Sequence, residues 1–185
     1  MQEQHIQAYF FIVPKFVLTS AEDQPSFFRR NIRPISYNSF VNDSRDSLSL
    51  TQDELLHMKT MGHSFGVHSA THTMTANSSN AHFEIVESKN QLAKILEIDE
   101  KELDSFCSIV DTSKTVGEND FKLIAENYKY HFSTFPGSNL SRNKHLIHRC
   151  NVESNFYKGE LYFSLGCINK KWWKARVVNF SKKVR

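Results

Sequence analysis

The sequence predicts an α/β fold built around a largely parallel sheet. Short runs rich in aromatic and β-branched residues alternate along the chain with segments in which apolar residues have helical spacing. The first such run, at residues 7–13, is apolar at nearly every position, as in strands covered on both faces. Alternating strands and helices are typical of βα units, whose strands run parallel.

The remaining elements follow in order. A long polar stretch at 19–49 is predicted as a loop with one short helix. The next helix begins at Thr51, which forms a capping box with Glu54, and ends at Gly62. Further strands are predicted at 63–68, 105–110, 130–134 and 146–152, and further helices at 84–98 and 118–128.

Composition limits the classes of protein to consider. At 185 residues the chain suits one domain, and its net charge of +3 is too small to imply a nucleic-acid partner. The three cysteines are widely spaced and predict reduced thiols. No apolar run has transmembrane length and no signal peptide is recognisable, so the chain as it stands is expected to be cytoplasmic.

The C-terminal part differs from the rest. We divide the chain into a domain at 1–155 and an amphipathic, basic extension at 156–185. Residues 169–185 include seven Lys or Arg and no acidic residue, and Trp172 and Trp173 lie among them. A solvated or packed terminal helix is one interpretation. Contact with an anionic membrane surface or another polyanion is the other.

Two histidines are the first candidates for chemistry. His68 comes at the end of the strand at 63–68, and one turn of helix would bring His72 to the same side. Sites in parallel α/β folds form at the carboxyl ends of strands, and neutral imidazoles suit Zn²⁺ or a similar ion. The spacing alone is weak in a chain with nine histidines, and a hydrogen-bonded pair in a loop would have the same pattern.

A resemblance that extends over most of the chain supports a metal-binding role for His68 and His72. The segments L-T-Q-D-E-L-L at 50–56, M-G-H-S-F-G-V-H-S-A-T-H at 61–72 and E-S-K-N-Q-L at 87–92 resemble the polysaccharide deacetylases, the NodB-homology family. The similarity to the family's sequences continues on both sides of these segments. A-Y-F-F-I-V-P at 8–14 is similar to a strand that precedes them, and S-T-F-P-G-S-N at 133–139 and L-I-H-R at 146–149 are similar to segments that follow them. The resemblance therefore covers residues 7–152 in order.

The resemblance implies a distorted (β/α) barrel with a divalent metal, Zn²⁺ by preference, held by one Asp and two His. It implies metal-dependent hydrolysis of N-acetyl groups on cell-surface polysaccharides or oligosaccharides. His68 and His72 match the two metal histidines, and Thr71 would orient the loop between them. The alternative is a non-catalytic module that binds glycans or anionic surfaces through the basic, Trp-containing extension.

The family's T-F-D-D motif, which carries the catalytic base and the third metal ligand, would precede residue 7. The chain is therefore expected to lack that motif together with the first strand and helix of the barrel. Three explanations are open: a piece of a longer deacetylase, which we favour, a degenerate member that binds without turnover, or a carboxylate supplied by a partner chain.

Other candidates are weaker. Arg149 matches an arginine of the family and would support the acidic motif or the substrate, or form an ordinary salt bridge. His148 is a weak candidate for the catalytic acid. Asp111 would fall near the site or occupy a turn. The remaining histidines without a motif are predicted as surface residues: His82, His131 and His145.

Overall fold

The computed structural model describes residues 6–32, 47–73, 79–109, 116–134, 139 and 144–149. The predictions for Asp111, for Cys150 and Cys167, and for the 156–185 extension concern residues outside these ranges, and the domain boundary at 155 stays a prediction.

Five parallel strands form one sheet in the order β1-β2-β3-β4-β5. They are β1 (Tyr9–Ile12), β2 (Ser64–Val67), β3 (Ser105–Cys107), β4 (Tyr130–Ser133) and β5 (Leu146–His148). The strand order follows the chain order, as expected when each strand returns through a connection on one side of the sheet. The predicted α/β fold with a parallel sheet is confirmed, and closure of the sheet into a barrel stays a prediction.

In the described ranges, five α-helices accompany the sheet: α1 (Pro14–Val17), α2 (Gln24–Phe27), α3 (Gln52–Thr60), α4 (Ser88–Leu96) and α5 (Glu118–Asn127). A first π-helical turn at Phe28–Ile32 follows α2, and a second at Phe83–Glu87 precedes α4. A 3₁₀ turn spans Glu100–Glu102. Among the described residues, no helix has both the length and the apolar character needed to cross a bilayer.

The start and end of α3 are where the sequence places them. The backbone N–H of Glu54 donates to the Thr51 hydroxyl, and the Thr51 N–H donates to the Glu54 carboxylate, which completes the capping box. Gly62 has a φ of 83°, a left-handed conformation that suits glycine. The chain can therefore turn directly from α3 into β2.

The two faces of the sheet differ. Alternate side chains of β1, β2 and β3, among them Phe65 and Phe106, pack under the helices in the buried core. The opposite face carries aromatic rings, with the centroids of Phe11 and Phe132 4.8 Å apart. Other members of the buried core are Ile12, Leu55, Val67, Ile85, Leu92, Leu96, Leu103, Ile124 and Tyr128. This packing fixes the strand ends at which the candidate residues lie.

Candidate active site

The candidate site lies where β1, β2 and β3 end. His68 directly follows β2, and its backbone N–H donates to the carbonyl of Ile12 at 2.8 Å, which extends the pairing of β1 with β2. On the other side, Val67 is in register with Phe106 of β3. His68 is therefore at the carboxyl edge of the sheet, as the sequence predicts.

The ring of His68 is fixed by the neighbouring strand. Its Nδ1 atom lies 2.8 Å from the carbonyl oxygen of Cys107, at the end of β3. Because a carbonyl oxygen only accepts, the proton of the neutral ring is on Nδ1 and the Nε2 lone pair is left for another partner. Burial lowers the pKa of His68 from 6.5 to about 4, and the nearby His72 and Arg149 act in the same direction. The ring is therefore neutral at pH 7.

His72 lies beside His68, but the backbone between them is not the helical turn that was predicted. The segment from His68 to His72 is not a helical turn, since Ser69 and His72 have φ angles of 61° and 63°. The backbone N–H of His72 donates to the Ser69 hydroxyl at 2.9 Å, which closes a tight loop. The ring centroids of the two histidines are 5.0 Å apart, at an interplanar angle of 73°.

The His72 ring is oriented by a segment far away in sequence. Its Nδ1 atom lies 2.9 Å from the carbonyl oxygen of Asn31, in the first π-helical turn. Both rings thus donate from Nδ1 to a backbone carbonyl, an arrangement that fixes the tautomer of histidines that bind metals through Nε2. In the described part of the chain, neither Nε2 atom has a hydrogen-bond partner.

Glu84, in the second π-helical turn, accepts hydrogen bonds from the loop between the two histidines. Thr71 donates to its carboxylate from both the backbone N–H, at 2.9 Å, and the hydroxyl, at 2.7 Å. The backbone N–H of Ala70 donates to the Glu84 carbonyl at 3.1 Å. Thr71 thus contacts the protein through its hydroxyl, as expected of a residue that orients the loop.

Arg149 is close to this site. Its guanidinium donates to the carbonyl of Ser108, the residue after β3, at 2.9 Å. Its Nε atom is buried and has no partner among the described residues. A buried N–H without an acceptor is costly, so the position suits an acceptor that the described residues do not provide. In this part of the chain Arg149 forms no salt bridge.

His148 lies on β5, in register with Ser133 of β4. Its backbone exchanges two hydrogen bonds with the Asn139 side chain, at 2.7 and 2.9 Å. Its role as a catalytic acid stays a prediction.

The prediction that His131 is a surface residue is wrong. Its side chain is 1% exposed, because alternation along β4 turns it towards α5, where it contacts the Phe121 ring. The Ser108 hydroxyl lies 2.5 Å from its Nε2 atom. Of the other two histidines, His82 is exposed and His145 is partly exposed.

The sequence contained no motif that links Ser108 to His131. The alternation of apolar and polar residues at 130–133 would have placed Tyr130 and Phe132 inside, whereas the structure buries His131 and Ser133. The pair anchors the same strand end that supplies the carbonyl partners of His68 and Arg149.

The donor set fits part of a metal site. Two imidazoles of fixed tautomer, one of them neutral over the whole physiological range, are suitable ligands for Zn²⁺. Within the described ranges, no group of three or more His, Cys, Asp or Glu is arranged to hold a metal ion. A catalytic zinc takes three ligands from protein, and His68 and His72 would account for two of them.

Comparison with known proteins identifies the fold. The chain is similar in structure to a Streptococcus pyogenes deacetylase, PplD, solved in complex with acetate, with a TM-score of 0.59, 16% identity, and coverage of 88% of this chain and 60% of that one. It is also similar to a polysaccharide deacetylase from Bacillus cereus, with a TM-score of 0.52, 18% identity, and coverage of 68% and 39%.

No family model matches the sequence, and no curated protein matches it. The chain spans about three fifths of the first of these structures and two fifths of the second. At these identities the similarity establishes a shared fold, which confirms the α/β fold of the polysaccharide-deacetylase type expected from the sequence, apart from the closure of the barrel.

Proposed function

We propose that this chain is a polysaccharide deacetylase-like protein whose site serves the metal-dependent hydrolysis of N-acetyl groups on cell-surface glycans. One observation carries the proposal. His68 and His72, at the strand ends of a fold shared with deacetylases, both donate from Nδ1 to backbone carbonyls and keep Nε2 for a ligand. A pair of ordinary loop histidines has no need for two matched, fixed tautomers.

In this proposal His68 and His72 hold a divalent metal, Zn²⁺ by preference. A bound metal of this kind would polarise the acetyl carbonyl and lower the pKa of a bound water. The third ligand is a carboxylate from outside the described residues, supplied by Asp111 of this chain, by a further segment of a longer protein or by a partner chain. The low pKa of His68 keeps its ring unprotonated, so a proton does not compete for Nε2 near neutral pH.

Arg149 has a proposed role beside the pair. Its unpartnered Nε–H would donate to the missing carboxylate or to an oxygen of the substrate. The carbonyl of Ser108 holds the other side of the guanidinium, so the direction of the donor is fixed before a ligand arrives. A lysine could not reproduce this geometry, because it has no planar fork of N–H groups.

A metal titration tests the proposal. Metal-free protein is titrated with Co²⁺, followed by its visible absorption, and then with Zn²⁺ in competition. We expect one site per chain, weakened at least about 10-fold in His68→Ala and in His72→Ala. The control is His57→Ala, because His57 is an exposed histidine on α3. Equal metal binding by the wild type and both site variants would overturn the proposal.

An assay of acetate release from N-acetylglucosamine oligosaccharides tests turnover. We expect little or none from this chain alone, because no Asp or Glu of the described residues joins the two histidines and the loss of a general base costs on the order of 10²–10⁴-fold in rate. Activity that appears when an acidic segment or partner is added would identify the source of the carboxylate. High activity of the isolated chain would mean that the base lies within it.

A further inference from the structure

Glu84 is a buried carboxylate that the proposed function does not use. Its residue is 3% exposed, and its two carboxylate oxygens accept one hydrogen bond each from Thr71, the residue before His72. We propose that Glu84 is a positioning residue for the histidine pair, and that its charge favours a cation there. This inference rests on the proposed function, since the cation is the metal that His68 and His72 would hold.

The contacts are specific to the loop between the histidines. Ala70 donates from its backbone to the Glu84 carbonyl, and Thr71 donates twice to the carboxylate. Three hydrogen bonds therefore join one residue of the second π-helical turn to two consecutive residues of the loop. The Ala70 carbonyl also accepts from the Lys15 backbone at 3.1 Å, so the loop is held from α1 as well.

The loop needs such support because its backbone is strained. Ser69 and His72 are left-handed at φ 61° and 63°, and neither is a glycine, an asparagine or an aspartate. Residues in this conformation persist where the surrounding structure fixes them, and they cluster at functional sites. Without the Glu84 carboxylate, the loop would lose the two hydrogen bonds that Thr71 donates to it and keep the one from Ala70 to the backbone carbonyl of residue 84. The position of the His72 ring against Asn31 would then be less firmly fixed.

The charge of Glu84 has a second consequence. In the part of the chain that the structure describes, no Lys, Arg or His forms an ion pair with it. A buried carboxylate without a cation is costly even when it accepts hydrogen bonds. A divalent ion at the adjacent histidines would offset that cost, so the carboxylate increases the affinity for the ion while binding none of its coordination positions.

The matched variants are Glu84→Gln and Glu87→Gln. Glu87 lies in the same π-helical turn, but it is exposed, and within the described residues its carboxylate pairs only with His82, at 3.8 Å. Both variants remove one negative charge from the same turn, and only Glu84→Gln disturbs the loop. Two readouts are needed: the dissociation constant and visible spectrum of bound Co²⁺, and the ¹⁵N NMR signals of the His68 and His72 rings without metal.

We expect Glu84→Gln to weaken Co²⁺ binding about 10-fold or more, to change the Co²⁺ spectrum and to shift the metal-free His72 ring signals. In Glu87→Gln, the dissociation constant of Co²⁺ should stay within twofold of the wild-type value, and the Co²⁺ spectrum and the His72 ring signals should be unchanged. If the wild type binds Co²⁺ and Glu84→Gln binds it equally well, the role of Glu84 is overturned while the proposed function stands. If the wild type binds no Co²⁺ but Glu84→Gln still shifts the His72 signals, the proposed function fails and the positioning of the loop stands.

A purely structural role is distinguished by stability. If Glu84→Gln unfolds more easily than the wild type, while its Co²⁺ affinity, its spectrum and its ring signals are unchanged, Glu84 stabilises the fold and does not position the site. Thr71→Val provides a variant that keeps the Glu84 charge and removes one of its hydrogen bonds. We expect it to shift the His72 signals in the same direction, with a smaller loss of Co²⁺ affinity.

Discussion

The Nδ1 atom of His68 lies 2.8 Å from the carbonyl oxygen of Cys107, and this contact joins the ends of two adjacent parallel strands. The carbonyl fixes the Nδ1 edge of the imidazole and leaves the Nε2 lone pair for a ligand. The same strand end continues into Ser108, whose carbonyl accepts from Arg149. Two consecutive carbonyls at the end of β3 thus orient His68 and Arg149.

Acid should destabilise the metal-free protein through His68. Its pKa is about 4 in the folded chain and about 6.5 when unfolded, so the unfolded state binds more protons between these values. The free energy of unfolding therefore falls as the pH falls from 6.5 to 4, by on the order of 3 kcal/mol from this group. Urea unfolding at pH 7 and pH 4, in the presence of a chelator, measures the change.

In His68→Gln, the free energy of unfolding should fall less between pH 7 and pH 4 than in the wild type, because the variant has no ring to protonate at this position. His57→Gln, on the exposed side of α3, is the control and should keep the wild-type pH dependence. An identical loss in the wild type and in His68→Gln would mean that another group is responsible.

Removal of the Arg149 charge should raise the pKa of His68. The positive charge of Arg149 contributes to the low pKa, but burial is the larger cause. Arg149→Met should therefore raise the pKa by a fraction of the total depression and leave it well below 6.5. NMR titration of the His68 ring measures this, with Arg30→Met, in the first π-helical turn, as the control. A fall in the pKa would contradict the proximity of the two groups.

The Ser108–His131 contact should couple the two residues energetically. Ser108→Ala removes a buried partner of the His131 ring at 2.5 Å and should cost about 1–3 kcal/mol of unfolding free energy. In the background of His131→Phe the same change should cost much less, because no ring nitrogen is left to satisfy. Chemical unfolding of the four proteins in this double-mutant cycle gives the coupling energy. Equal costs in both backgrounds would show that the contact contributes nothing.

Gly66 should not tolerate a side chain. A Cβ atom there would lie 2.7 Å from Cε1 of the Phe11 ring and 2.9 Å from the Ser105 carbonyl oxygen. Gly66→Ala should therefore destabilise the fold by about 1–3 kcal/mol. Phe11→Leu in the same chain should recover part of the loss, because it relieves the ring but not the backbone contact.

The control for this prediction is Ser64→Ala, at an exposed position of the same strand, which should change the free energy of unfolding by less than about 0.5 kcal/mol. Thermal unfolding compares the variants. A Gly66→Ala protein as stable as the wild type would mean that β1 and β2 pack less closely than described.

The local elements were predictable because their causes are close in sequence. The capping box joins Thr51 to Glu54, three residues later, and the apolar run of β1 is continuous. The position of His68 followed from the same reasoning, since it is the residue after a strand of a parallel sheet. The incorrect predictions, of a helical turn at His72 and of a surface position for His131, concerned backbone and packing that distant residues impose.

The sequence by itself determined the order of strands and helices, the parallel α/β class and the pairing of His68 with His72 as candidates. Only the tertiary structure decided how the rings are oriented, because their partners are far away in the chain. Cys107 is 39 residues from His68, Asn31 is 41 residues from His72, and Glu84 is 13 residues from Thr71. Contacts of this kind form when packing brings strand ends and turns together, and no local pattern of residues encodes them.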